Sequence, residues 1–182
     1  MKINKILTMV AQMLDLDLGI VAVESTDKKT LALLVRAFNN VVSEIAEEYV
    51  PFVKETKVQS VDGEIDLSGV GEKVYKVVKV ENEKGEKVRF CEKIDKIILK
   101  DKKSGEYRVV YSYIPSEIGF GESVEIPSVI TERTLSYGVA GEYALMSERY
   151  DECINYDTRF NTALTSATRK VKERKLPYRG YV

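Results

Sequence analysis

The sequence predicts an α+β protein: a bundle of about four helices, with an antiparallel β unit inserted between the second and third, and an extended C-terminal tail. Three observations lead there. Apolar residues recur every three or four positions up to about residue 50, alternate with a period of two from 54 to 114, and return to helical spacing after about 128. At 182 residues with 44% apolar content, the chain is long enough to bury one substantial core. The implied organisation is a bundle from residues 1–53 and 114–172, a β domain at 54–113 and a tail at 173–182.

The first helix is expected over residues 3–16, where Ile3, Ile6, Leu7, Val10, Met13 and Leu14 form one stripe. The second follows a connector, "DLGIVAVES". Thr26 or Asp27 can cap it, and Leu31, Leu34, Val35, Phe38, Val41, Val42, Ile45 and Tyr49 share a face as far as Val50. Burying eight such side chains gives a gross gain of more than roughly 10 kcal/mol, to be set against ordering entropy. Such a stripe needs partner helices.

Pro51 ends the helical pattern. "VYKVVKVEN", "EKVRFCE", "KIILK" and "YRVVYSYIP" are β-branched or aromatic runs, divided by "VDGEI", "NEKGEK" and "KKSGEY", which carry glycine beside polar residues as hairpin turns do. They predict five or six antiparallel strands. Tyr107, Val109, Tyr111 and Tyr113 alternate onto one face, expected to be core; Arg108, Val110 and Ser112 take the other. Pro127 suits the first turn of a third helix over residues 128–148. Its Gly138, Ala140, Gly141 and Ala144 are small residues three or four apart, which implies another helix pressed close against it. A fourth helix, residues 150–172, presents Cys153, Tyr156, Phe160, Ala163, Leu164, Ala167 and Val171 on one face.

Composition narrows the chemistry. The chain has no histidine, which removes the commonest general base and the usual zinc sites. Cys91 and Cys153 have no metal-ligand spacing, and Cys91, inside a strand run, is expected to be a buried small hydrophobe. "GVGEK" (69–73) and "GFGES" (119–123) lack the spacing of phosphate-binding loops and read as turns. The acids of "AEEYV" and "YDECINYD" fall on the polar sides of helices. No catalytic, cofactor or metal residue is therefore assigned, and a non-enzymatic protein is expected. No apolar run is long enough to cross a membrane, and the N-terminus lacks a convincing signal-peptide cleavage site, so a cytosolic protein is expected.

Charge is unevenly placed. Residues 169–182 hold six basic side chains and one acidic, whereas the rest of the chain carries 22 basic against 28 acidic. An acidic body thus bears a basic, aromatic terminus, "KVKERKLPYRGYV". Its cations and tyrosines could engage nucleic acid, or an acidic protein partner with Leu176, Pro177, Tyr178 and Tyr181 as anchors; a membrane would require more apolar surface.

Two further patterns give a more specific reading. Ile130, Leu135, Tyr137, Gly138, Val139, Ala140, Glu142 and Tyr143 match I-x-x-x-x-L-x-Y-G-V-A-x-E-Y. Tyr156, Asp157, Arg159, Phe160, Ala163, Leu164, Ala167 and Arg169 then match Y-D-x-R-F/Y-x-x-A-L-x-x-A-x-R, and a basic close ends in R-x-x-V. Upstream, the helix from Leu31 leads into "DGEIDLS". This succession resembles the head-to-tail adaptor, or connector, proteins of short-tailed bacteriophages. The resemblance implies a structural virion protein that forms a homo-oligomeric ring, commonly a dodecamer, in the neck between portal and tail. It would reside in the host cytoplasm before assembly. It would contact the portal protein and a tail or nozzle protein, with genomic DNA passing through the channel, and need neither cofactor nor membrane. It also implies that Arg174, Lys175, Leu176, Tyr178, Arg179 and Tyr181 dock on the portal. A tail-tube or tail-completion protein and a nucleic-acid-binding module are the competing readings.

Overall fold

The computed structural model describes residues 1–17, 19, 27–71 and 73–169. Among them are four helices, α1 (Ile3–Met13), α2 (Lys28–Glu44), α3 (Glu132–Met146) and α4 (Tyr150–Thr168), with six strands inserted in the chain between α2 and α3. The fold is the α+β arrangement expected.

α1 buries Ile3, Ile6, Leu7 and Val10, with Leu14 just beyond it. α2 starts at Asp27, whose side chain accepts the Thr30 amide at 3.0 Å; Thr26 lies outside the described residues. Its final turn, Ile45–Tyr49, widens to π geometry and closes through a 2.8 Å bond from the Val50 amide to the Ile45 carbonyl. That extra residue per turn buries both Ile45 and Ala46 while Tyr49 reaches α4, stacking edge-on to Phe160 at 6.4 Å. Pro51 then holds Val50 extended and releases the chain into the first strand.

The β unit comprises β1 (Phe52–Ser60), β2 (Glu64–Asp66), β3 (Lys73–Asn82), β4 (Phe90–Glu92), β5 (Lys96–Leu99) and β6 (Gly105–Ile114). They form two three-stranded antiparallel sheets, β1-β6-β3 and β2-β5-β4. The orders correspond because each strand of one sheet adjoins in the chain its counterpart in the other. Asp62 and Gly63 turn β1 into β2 with φ of 51° and 80°, the left-handed pair of a tight hairpin. A Cβ on Gly63 would stand 2.4 Å from the Lys102 Cα. Gly63→Ala is therefore expected to lower stability by about 2 kcal/mol or more, read as a fall in thermal midpoint.

The row Tyr107, Val109, Tyr111 and Tyr113 is buried, and Phe52, Tyr113 and Tyr111 meet edge to face at 6.1 and 6.4 Å. The core is continuous from the bundle into both sheets. Cys91 departs from expectation: it is exposed, because β4 is a short edge strand that turns Phe90 toward the core and Cys91 away from it. Two side-chain amides tie down the segment between β6 and α3. Asn39 pairs with both backbone groups of Ile118 at 3.1 Å, and Asn4 accepts the Gly121 amide at 2.9 Å.

α3 starts later than its proline suggested. Pro127 instead opens a turn closed by the Ile130 amide to the Pro127 carbonyl, and Thr131, whose hydroxyl accepts the Thr134 amide, caps the helix. Nine of its fifteen residues are buried, so it is the central helix. α4 is helical to Thr168 with Arg169 extended, and Val171 lies outside the described residues. Of its expected face, Phe160 and Leu164 are buried and Cys153, Tyr156, Ala163 and Ala167 half-buried.

Of the two glycines in α3, Gly138 makes the closer approach to neighbouring helices. A Cβ there would lie 2.8 Å from Val41 Cγ1 and 2.9 Å from Phe160 Cε2, whereas at Gly141 the nearest atom, the Asp157 amide nitrogen, is 3.4 Å away. Gly138→Ala is expected to destabilise by about 1–3 kcal/mol despite better helix propensity, lowering the thermal midpoint by roughly 3–10 °C. Gly141→Ala should leave it unchanged or raise it slightly, since the new Cβ meets the Asp157 amide only at the edge of ordinary contact and helix propensity favours Ala by up to about 1 kcal/mol.

Candidate functional site

The six residues implied in docking, Arg174, Lys175, Leu176, Tyr178, Arg179 and Tyr181, lie outside the described residues. The surface that leads to them is α4 and the helices beneath it. There the two resemblance patterns separate into packing and surface residues. Ile130, Leu135, Val139, Ala140, Tyr143, Phe160 and Leu164 are core, and Gly138 admits Phe160. Tyr137, Glu142, Tyr156, Asp157 and Arg159 reach the surface in whole or in part.

Those surface residues fall on two flanks of α4. Asp157 and Arg159, two positions apart, point about 200° from one another around the helix. On the Asp157 flank four carboxylates converge from separate elements: Glu44 from α2, Glu48 from the π turn, Glu142 from α3 and Asp157 from α4. Three groups register them. Partial burial raises the Glu44 carboxyl above its usual range, and every charge acting on it, from Glu48, Asp157 and Glu142, pushes the same way. Burial, then Glu44, Glu48 and Asp157, raises the Tyr49 phenol, and burial, then Asp157 and Glu142, raises the Cys153 thiol. Glu142 accepts a 2.8 Å bond from Asn40, but among the described residues none of the four forms an ion pair.

The opposite flank carries arginine and tyrosine. Arg133 donates to the Tyr137 hydroxyl at 2.7 Å and lies 5.5 Å from that ring; Arg159 stands 5.9 Å from the Tyr137 ring and 5.8 Å from the Tyr156 ring. The Tyr156 hydroxyl in turn donates to the Met13 carbonyl at 2.6 Å, one of the carbonyls left open at the end of α1. Both guanidinium groups are exposed, and neither has a carboxylate partner among the described residues. The arrangement suits recognition of charge by surface contact. Among the described residues there is no group of three or more Cys, Asp or Glu able to hold a metal, and no helix is long and apolar enough to cross a membrane.

Sequence reasoning placed Glu48 and Asp157 on polar helix faces, where both are exposed, but passed over Glu44 and Glu142 and did not bring the four together, because they come from separate elements. The Arg133 and Tyr137 pair went unremarked, although its i, i+4 spacing could have found it; the arrival of Arg159 left no local signal.

No protein-family model matches the chain, and no curated protein matches it.

Glu44 supplies a direct test of the acidic flank. A carboxyl whose pKa is raised on folding weakens the folded state above that pKa, and the penalty fades as pH falls through the raised value to the ordinary carboxylate range. Glu44→Gln should therefore raise the thermal midpoint at pH 7 by about 1–2 °C, the scale of a few tenths of a kcal/mol for a relieved like-charge contact. The difference should shrink when melts are repeated at acid pH.

Proposed function

We propose that this chain is a head-to-tail adaptor of a tailed bacteriophage, a structural protein that assembles as a ring between portal and tail. The observation that carries the reading is the division of the two resemblance patterns. Their small and apolar members, Leu135, Gly138, Val139, Ala140, Phe160 and Leu164, are buried, with Gly138 of α3 set against Phe160 of α4, while their charged members stay on the surface. The patterns are thus expressed as one packed helical unit, with the basic terminus following directly. In this reading Arg174, Lys175, Leu176, Tyr178, Arg179 and Tyr181 engage the portal, and repetition around a ring multiplies individually weak contacts. The chemistry needs no cofactor and no catalytic residue.

Deleting residues 173–182 is expected to leave the far-UV circular dichroism and thermal midpoint close to those of the full chain while abolishing its capture by portal rings. Undiminished capture would reject this role for the tail. A protein that polymerises into tubes without a portal, seen by electron microscopy, would favour the tail-tube reading instead.

A further inference from the structure

Among the described residues the helical layer presents two surfaces of opposite sign, neither holding an ion pair, and we propose that they bind each other head to tail between neighbouring copies of this chain. The inference deepens the ring reading by naming the contact between subunits, and rests on that reading only for the closure of the chain of contacts into a ring.

The acidic surface is more than a group of carboxylates. Leu145 lies three residues beyond Glu142 on α3 and Ile154 three before Asp157 on α4, so each acid has an apolar neighbour on its own helix face. Leu145 is 49% exposed and Ile154 66%. Exposed aliphatic side chains beside unpaired acids make a surface that gains from being covered by a partner carrying both cations and flat apolar area. The other flank offers those groups: Arg133 and Arg159 supply charge, and Tyr137 and Tyr156 hold the guanidinium groups in place. Stacked arginine loses less freedom on pairing than a free one, and arginine with tyrosine is the composition favoured at protein interfaces.

Geometry decides the kind of contact. The surfaces lie on opposite flanks of α4, the acidic one beside α2 and the π turn, the basic one beside the end of α1. One molecule cannot bring its own two flanks together. The flanks point about 200° apart round α4, too far for one twofold interface to engage both reciprocally, and a twofold centred on either flank alone would set like against like, so acid meets arginine through a heterologous contact that repeats from copy to copy. Such a contact is charge-led and weakens with salt.

The test uses the full chain and two variants in sedimentation velocity over a wide concentration range, at low and at physiological salt. Arg133→Glu with Arg159→Glu leaves both flanks acidic; Glu44→Lys, Glu48→Lys and Asp157→Lys together leave Glu142 as the one acid against three lysines and make both basic. The wild-type chain should associate, more strongly at low salt, and each variant alone should associate at least about tenfold more weakly. An equimolar mixture of the two should associate again, because acidic molecules then alternate with basic ones. Thermal melts establish folding, and the milder pairs Arg133→Gln with Arg159→Gln and Glu44→Gln with Asp157→Asn replace any variant that does not fold, each expected to weaken association. A wild-type chain that stays monomeric throughout overturns the proposal. So does a mixture that does not associate, or association lost on neutralising Arg174, Lys175 and Arg179 but kept when Arg133 and Arg159 are changed, which would make the terminal segment the occupant of the acidic flank. Portal capture is measured separately, so the adaptor reading and this contact fail independently.

Discussion

The close approach at Gly138 is the constraint on which the helical architecture depends. The space that a Cβ would need is taken by Val41 from α2 and by the Phe160 ring from α4. Three helices therefore meet at a residue without a side chain, and α3 is drawn into the middle of the bundle, with Leu135, Val139, Ala140 and Ala144 all fully buried along it. Dispersion contacts fall off steeply with separation, so a gap of even half an ångström here would forfeit much of the packing. The same proximity brings the Asp157 backbone within 3.4 Å of a Cβ position at Gly141 and so carries Asp157 toward Glu142. Core packing thereby fixes which charges face which.

A helix buried on most of its surface has no strong polar side, and this explains what the sequence could and could not disclose. α2, with one face to the core and one to solvent, was legible almost residue by residue from its period. α3 was recognisable instead by its small residues, which require a close neighbour but do not say which one. That Val41 and Phe160 are the neighbours is a tertiary fact. The β unit divides in the same way. Alternation along residues 107–113 correctly placed the tyrosines inside, because burial on one face leaves a period of two in the sequence. The division into two sheets left no comparable trace, since the turn at Asp62 and Gly63 looks the same whether its strands share a sheet or pass between two.

Where local signals competed, the stronger hydrogen-bonding chemistry prevailed. Proline at 127 is compatible with a first helical turn but does not itself satisfy a free amide. Thr131 does so, through the Thr134 N–H, and the helix begins there. Strand position likewise decided Cys91: residue type favours burial, but on a three-residue edge strand alternate positions leave the core, and Cys91 occupies one of them. The docking role proposed for residues within 174–181 rests on composition and resemblance alone, whereas the two charged flanks needed the fold to assemble them.

Their energetics bear on what the flanks are for. Exposed ion pairs contribute little to folding, and unpaired like charges oppose it, so stability alone gives no reason to gather Glu44, Glu48, Glu142 and Asp157 on one side of α4. A lysine among them would relieve the repulsion at small structural expense. Nor does folding require Arg133 and Arg159 to stand on the other side without a carboxylate partner among the described residues, when Asp or Glu at a neighbouring helix position would pair with them. The separation of sign across a single helix weakens the isolated molecule slightly and gains its compensation only when another charged body covers a flank. Specificity in association follows from such an arrangement, because acid against acid and arginine against arginine are both penalised, leaving one relative orientation favoured.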